Sequence, residues 1–172
     1  MALGPLGDIG PCQLNWNSFV ITSVQDGATF RHTTGFADVK EAEHGVTPVD
    51  AVFTGYDACE FEAPFTRITY ANLTSLIPGA SNSGGESGNI QVFSNRVGTT
   101  MYSSAQELIV KRIVNGVVDT EQKYWLHFPK TYPVPLFDVP YTVDGQRGFM
   151  VLFKVFPNAT DNNMTWHIGD IA

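Results

Sequence analysis

The clearest pattern of apolar and polar positions lies between residues 56 and 69. There Cys59, Phe61, Ala63 and Phe65 alternate with residues that are mostly charged or polar. A period of two places one set of side chains in a core and the other in solvent. We therefore predict a half-buried strand here, and the proline near its end predicts an edge or a bulge.

Apolar runs of a similar kind recur along most of the chain. Val, Ile, Phe and Tyr are common in them, and these residues suit pleated, half-buried surfaces. Asn115-Gly116 is the strongest hairpin turn signal. The other strand-like runs are 13–22, the surroundings of Phe30, 36–39, 47–54, 89–97, 107–114, 117–128, 148–156 and 164–171.

Two of the later segments depart from simple alternation. Residues 148–156 (GFMVLFKVF) are almost continuously apolar, which predicts a central strand buried on both faces. Residues 128–140 (FPKTYPVPLFDVP) contain several prolines. Because proline cannot donate to a strand ladder, we expect this stretch to cross between sheets without regular pairing.

One short segment has the pattern of a helix. Thr69 is a suitable N-cap, and Pro78-Gly79 ends the run. Leu73, Leu76 and Ile77 fall on one helical face and are the residues expected to dock the helix. The predicted fold is therefore mainly β, a β-sandwich or barrel with one short flanking α-helix.

The length of 172 residues predicts a single domain, 1–172, with a core of its own. Residues 1–12 are rich in Gly and Pro and predict a flexible N-terminal arm. Polar stretches predict loops at 40–48 and 81–89.

The charge and hydropathy limit the classes of function. The net charge is −7, and binding to phosphate backbones needs clustered Lys and Arg instead. The longest apolar run is shorter than a membrane span, so we expect no membrane segment. The N-terminus has neither a basic segment nor a long apolar stretch, so we expect no signal peptide and synthesis in a cytoplasm.

Candidate catalytic and metal-binding groups are scattered. Four histidines, at positions 32, 44, 127 and 167, show no metal-ligand spacing. There is no GxSxG elbow or phosphate-binding loop. We expect Cys12 and Cys59 to be free thiols, with Cys59 buried. The predicted protein is not an enzyme and has no catalytic residue, metal or cofactor.

Two groups of residues are compatible with the hydrolysis or binding of carbohydrate. Glu60 and Glu62 lie two residues apart, as paired acids could in a glycosidase, but the wet face of a strand explains them more simply. Trp16, Trp125 and Trp166 could form a sugar-binding platform, although packing in a core or an interface is the commoner role.

The segment 35–80 carries a more specific signal. GFADVKEAEHGVTPVDAVFTG is followed by YDACEFEAPFTRITYANLTSLIPGA, which combines G-x-T-P-V-D with T-x-x-N-L-x-x-L-x-P-G-A. In this order of strand, loop, strand and short helix, the chain resembles the tail tube (major tail) proteins of long-tailed bacteriophages. The close resemblance covers about a quarter of the chain.

The resemblance implies a structural virion protein that is assembled in the host cytoplasm. Homohexameric rings would stack into a hollow tube, and the genome would pass through it without specific binding. The expected partners are other copies of the chain and the tape measure, terminator and baseplate proteins. Inter-ring or inter-subunit contact is expected at the residues Lys40, Glu41, Glu43, His44, Gly45, Thr47 and Pro48.

Two alternatives remain open at this point. Tail terminator, neck and baseplate proteins form related rings, and sequence separates them poorly from a tube protein. A carbohydrate-binding β-sandwich module is the alternative from a different class.

Overall fold

A computed structural model describes most of the chain. The residues described are 11–21, 28–40, 43, 47–55, 58–65, 69–82, 89–93, 97–136 and 149–170. Residues 1–10 of the expected N-terminal arm lie outside these ranges, as do 83–88 of the second expected loop. Within the described ranges the fold is mainly β with one flanking helix and a large antiparallel sheet, which confirms the predicted fold class.

Within the described residues the chain forms thirteen strands, one α-helix and two short 3-10 helices, Tyr102–Ser104 and Gln122–Tyr124. The bounds of the strands and the α-helix are β1 Cys12–Trp16, β2 Phe19–Ile21, β3 Thr29–Thr33, β4 Phe36–Lys40, β5 Pro48–Phe53, β6 Ala58–Phe65, α1 Tyr70–Leu76, β7 Ala80–Asn82, β8 Ile90–Val92, β9 Gln106–Val114, β10 Val117–Val118, β11 Leu126–Leu136, β12 Phe149–Val155 and β13 His167–Ile168.

Nine strands form one antiparallel sheet. Its main path runs β2-β1-β9-β11-β12-β6-β3, while β10 pairs with β9 and β13 pairs with β11. Strands β4 and β5 form a separate two-stranded sheet, and so do β7 and β8. The described ends of the large sheet are therefore the short strand β2 and the strand β3.

The sheet curls around an aromatic core. Phe30 on the end strand β3 lies 5.3 Å, ring centre to ring centre, from Phe128 on β11, although β6 and β12 separate these strands in the sheet. Trp16 on β1 likewise reaches Phe153 on β12 at 6.5 Å. Such contacts between strands that are not neighbours require the strong curvature of a barrel-like sheet.

The core satisfies the polar group that Trp16 brings into it. The indole nitrogen of Trp16 donates to the hydroxyl of Thr131 at 3.1 Å, and that hydroxyl donates to the Gln106 carbonyl at 2.9 Å. Thr131 has no exposed surface. This chain of bonds joins β1, β11 and the start of β9 and avoids an unpaired buried donor.

Strand β6 has the predicted alternation. Phe61, Ala63 and Phe65 are buried, and the residues between them are half-buried. Pro64 pairs with Met150 of β12, but β3 pairs with β6 no further than Glu62 in the described part. The residue that this register would place opposite Pro64 lies outside the described residues, so the predicted edge or bulge stays a prediction.

The proline-rich stretch is a strand, and the prediction that it would not pair was wrong. β11 runs through it and pairs with β12 from Thr131 to Leu136. The pairing with β9 shifts register between Phe128 and Thr131 and, among the described residues, does not continue beyond Thr131. Pro133 and Pro135 are two residues apart, so their missing donors lie along one edge, where β9 no longer requires them.

Three other predicted elements need correction. The run 13–22 is a hairpin of β1 and β2, because Asn17 and Ser18 have positive φ and form a tight turn. Cys12, placed in the arm by the sequence, begins β1 and is buried. Strand β12 is central, but full burial alternates along it and is confined to Val151 and Phe153.

Candidate assembly surface

Strands β4 and β5 form a ribbon of residues 36–40 and 48–53 outside the large sheet. Every residue of both strands is exposed. Phe36 and Phe53 face each other across the strands, and 66% and 83% of their surfaces are exposed. A strand normally buries at least one face, so this β4–β5 ribbon presents an unusual amount of apolar surface to solvent.

Valines extend the apolar surface of the ribbon. Val39, Val49 and Val52 are exposed, and Val52 lies opposite Ala37. Since neighbouring residues of a strand point to opposite faces, this pair lies on the other face from the two phenylalanines. An isolated two-stranded hairpin is marginally stable in water, so the ribbon is suited to being covered by another chain.

The ribbon projects from the edge of the large sheet. Thr33 at the end of β3 pairs with Ala58 at the start of β6. Beyond that pair the amide of Thr54 donates to the carbonyl of Gly35 at 3.1 Å, just before the ribbon begins. The ribbon is thus an extension of the β3–β6 pair and is held by backbone hydrogen bonds at its base.

The ends of the expected 40–48 loop belong to the ribbon, which corrects the bounds of that loop. Lys40 is the last residue of β4, and Pro48 is the first residue of β5. The two residues are partners across a register shift, and both are exposed. Similarly, residues 81–82 of the second expected loop belong to β7.

The remaining candidate contact residues lie between these ends. Glu43 and Thr47 are exposed. Glu41, His44 and Gly45 lie outside the described residues. The structure therefore brings Lys40, Thr47 and Pro48 together at the distal end of the ribbon, and their contact with another subunit stays a prediction.

The three residues expected to dock the helix differ in burial. Leu76 has no exposed surface and belongs to the core cluster, while Leu73 and Ile77 are half-buried. The hydroxyl of Thr69 accepts from the amide of Asn72 at 3.2 Å, so the predicted N-cap is confirmed. The Asn72 side chain also donates to the Val20 carbonyl at 3.2 Å, which ties the helix to β2.

A second group of exposed apolar side chains follows the hairpin of β7 and β8. Val92, Phe93 and Val97 are exposed, and Val97 retains 97% of its surface. The amide of Phe93 donates to the carbonyl of Gly79 at 3.1 Å, which holds this strand end beside the helix C-terminus. Exposed apolar side chains thus also occur on the described part of the chain away from the ribbon.

The outer face of the sheet beside the ribbon is polar. Arg31 lies 3.1 Å from Glu62, and Lys154 pairs with Glu60 across neighbouring strands. The two acids therefore belong to cross-strand ion pairs on the wet face of β6. This arrangement agrees with the structural interpretation of their spacing and differs from two carboxylates facing across a cleft.

The groups considered for chemistry occupy structural positions. Within the residues that the structure describes, no cluster of three or more His, Cys, Asp or Glu could hold a metal ion. Cys12 and Cys59 are buried and are not joined by a disulfide, and burial raises the pKa of the Cys12 thiol to about 11. Trp16 is buried, while Trp125 and Trp166 are half-buried.

No protein-family model matches this chain, and no curated protein matches it either. No helix among the described residues is both long and apolar enough to cross a membrane.

Sequence reasoning found the position of the ribbon but missed its apolar surface. It selected the polar residues of 40–48, whereas the largest exposed side chains are Phe36 and Phe53. The apolar pattern of these strands resembles that of buried strands, so no local signal in the sequence marks the two phenylalanines as exposed.

Proposed function

We propose that the protein is a structural subunit that assembles with copies of itself into stacked rings, as a tail tube protein of a long-tailed phage. The observation that carries this proposal is the β4–β5 ribbon, which is a formed hairpin with Phe36 and Phe53 exposed. An apolar ribbon whose residues are all exposed, and which packs on no other described strand or helix of its own subunit, is suited to be an interaction element.

The energy available from covering the ribbon is large. Full burial of one Phe or Val side chain contributes about 1.5–3 kcal/mol. Every 1.4 kcal/mol changes an affinity by about tenfold, so the two phenylalanines account for several powers of ten. Association also costs free energy, because each subunit loses translational and rotational freedom. An assembly in which each subunit makes this contact more than once offsets that cost more easily.

The ribbon projects from one edge of the sheet, and under this proposal its partner is a different surface of the next subunit. A contact between two different surfaces closes into a ring or propagates as a filament. The end strands β2 and β3 offer backbone groups for pairing between neighbours in a ring.

The charge suits a conduit for nucleic acid. The net charge of −7 disfavours adhesion to phosphate, so DNA could pass without specific binding. Under this proposal the protein resides in the virion after assembly in the host cytoplasm. Its partners are its own copies and the proteins that set the length and ends of the tail, and it catalyses no reaction.

Electron microscopy of the purified protein tests this function. The wild-type chain should form hollow tubes with six-fold end views. The double variant Phe36→Ser with Phe53→Ser should remain soluble but lose tubes, because the contact loses its largest apolar groups. Val117→Ser is the matched control, since Val117 is 68% exposed on β10, away from the ribbon.

Each alternative has its own signature in the same experiment. Closed rings that never stack would indicate a terminator, neck or baseplate role. A monomer at all concentrations that is retained by a glycan column would overturn the proposal in favour of a carbohydrate-binding module. Normal tubes from the double phenylalanine variant would exclude the ribbon as the assembly contact.

A further inference from the structure

Two histidines join the last described strand to the sheet. His127 on β11 and His167 on β13 are direct partners across the strands. Their rings are stacked with centres 4.6 Å apart and planes 12° apart. Trp125 also stacks with His127, with ring centres 6.1 Å apart. Imidazoles pack face to face in this way when uncharged, whereas like charges directly opposite one another destabilise a strand pair.

A second N–H group on the His167 ring would have no hydrogen-bond acceptor within the described residues. Nδ1 of His167 is buried and has no hydrogen-bond partner within the described part of the chain. A buried nitrogen with a lone pair costs less there than a charged N–H group without an acceptor. His167 therefore holds β13 in place only as a neutral ring.

The charged groups around the two stacked histidines do not remove the preference of His167 for its neutral form. Burial is the main reason that the pKa of His167 lies below its ordinary value, and the nearby His127 lowers it further. Glu107 on β9 and Asp161 and Asp170 around β13 act in the opposite direction. Lys111 on β9 lies 3.8 Å above the Trp125 ring and adds positive charge to the stack.

Glu107 lies beside the histidine pair. Its carboxylate lies 3.5 Å from Nδ1 of His127 and is more than half exposed. Two protons on the pair would place two cations in stacked rings.

A third histidine, His32, contacts the chain segment that contains β13 at Trp166. The indole nitrogen of Trp166 donates to Nδ1 of His32 on β3 at 3.0 Å. Trp166 also packs against Phe30 at 5.1 Å. A protonated imidazole has no lone pair to accept with, so this bond requires neutral His32. The charged groups on the facing strands are Arg31, next to His32, and Glu60 and Glu62 of β6.

We propose that residues 157–170 form an acid-sensitive latch, held closed by neutral His32, His127 and His167 and released from the sheet when these histidines are protonated. Release breaks the β11–β13 pairing and withdraws Trp166 from Phe30. It would expose the strand edge of β11 near Trp125 and the end of the core, while the central strands stay paired. This inference does not depend on the proposed assembly function.

The direction of the pH effect follows from proton linkage. An unfolded or released His167 titrates near about 6.5, while the latched residue has a lower pKa. The released state therefore binds more protons as the pH falls, and the closed state loses stability toward acid. The full stabilisation is present above the pKa of the released state and is lost as the pH falls through the pKa of the closed state.

Amide hydrogen exchange of the intact protein, followed by NMR, tests the latch. The reporter is the Gly169 amide, which donates to the Trp125 carbonyl at 3.0 Å, and the reference is the Phe153 amide of β12. Between about pH 7.5 and about pH 5, after correction for intrinsic exchange, Gly169 protection should fall by about tenfold or more. Phe153 protection should change little.

Variants separate the histidines from a general effect of acid. His167→Phe combined with His32→Gln keeps a flat ring and an acceptor but removes two titrating groups, so Gly169 should stay protected at acidic pH. His44→Gln is the matched control and should respond as the wild type does. Equal Gly169 protection at both pH values in the wild type would overturn the latch, as would an unchanged pH response in the double variant or a lost response in the control.

Discussion

At the scale of single residues, Leu76 and Leu73 differ in how much they should contribute to stability. Leu76 is fully buried in the core cluster, whereas Leu73 is half-buried on the same short helix. Leu76→Ala should lower the free energy of unfolding by about 2–5 kcal/mol, because it leaves a cavity. Leu73→Ala should cost clearly less, because solvent already reaches that side chain.

Urea denaturation of the two variants measures this difference. Both substitutions have the same chemistry and similar helix propensity, so each serves as the control for the other. Equal losses for the two variants, or a near-neutral effect of Leu76→Ala, would contradict this assignment of the core.

The helix shows which properties of single residues the sequence could predict and which it could not. The cap at Thr69 and the apolar spacing of Leu73, Leu76 and Ile77 follow local rules and were predicted. Which of the three is fully buried depends on how the helix rests on β2, β7 and β11. Strands β2 and β11 are distant from the helix in sequence, so a helical pattern does not contain this information.

At the scale of elements, the turn at Asn115-Gly116 sets the register of β9 and β10. Both residues have positive φ, 52° and 78°, as a two-residue hairpin turn requires. Gly116→Ala should lower the free energy of unfolding by about 1–2 kcal/mol, because a Cβ disfavours this backbone region. Thermal and urea unfolding measure the loss.

Gly55→Ala is the control for that turn. A Cβ at Gly55 would meet no heavy atom within 4 Å, so its effect should be small. If Gly116→Ala were as stable as the control, the left-handed turn would have no role in stability.

Elements that a pattern of adjacent residues specifies were predicted better than elements whose structure depends on which strands they pair with. The alternation of β6 and the Asn115-Gly116 turn are local, and both are confirmed. The proline-rich β11 was missed because a proline is harmful only on an edge that needs its N–H. The ribbon surface was missed because an apolar strand pattern usually indicates burial, and only the strand order shows that β4 and β5 leave the sheet.

At the scale of the whole molecule, repulsion between acidic subunits opposes an assembly driven by apolar contacts. Each chain carries a net charge of −7, and salt at about 1 M reduces the Debye length to about 3 Å. Raising NaCl from about 0.05 M should therefore promote polymerisation and lower the critical concentration.

Light scattering and sedimentation across a salt series measure this effect. The Phe36→Ser, Phe53→Ser variant is the control and should remain unassembled throughout, because screening cannot replace the lost apolar surface. Tubes that dissolve as salt is added would show that ion pairs hold the subunits together instead.

The curl of the sheet is the part of the architecture that sequence patterns could not predict. It follows from an order in which β1 joins β9 and the end strand β3 returns to within ring contact of β11. These pairings link residues far apart in the chain. Composition and periodicity favour a β-rich fold, but they do not choose among the possible strand orders.

The spacing of Pro133 and Pro135 also bears on unwanted strand pairing between copies of the chain. Beyond Thr131 one edge of β11 has no pairing with β9, and such an edge would ordinarily recruit a strand from any nearby unfinished chain. The two prolines remove donors from that edge in succession, so an incoming strand would find acceptors without matching N–H groups. A strand from another copy should therefore pair less readily with this edge than with an edge that keeps all of its N–H groups.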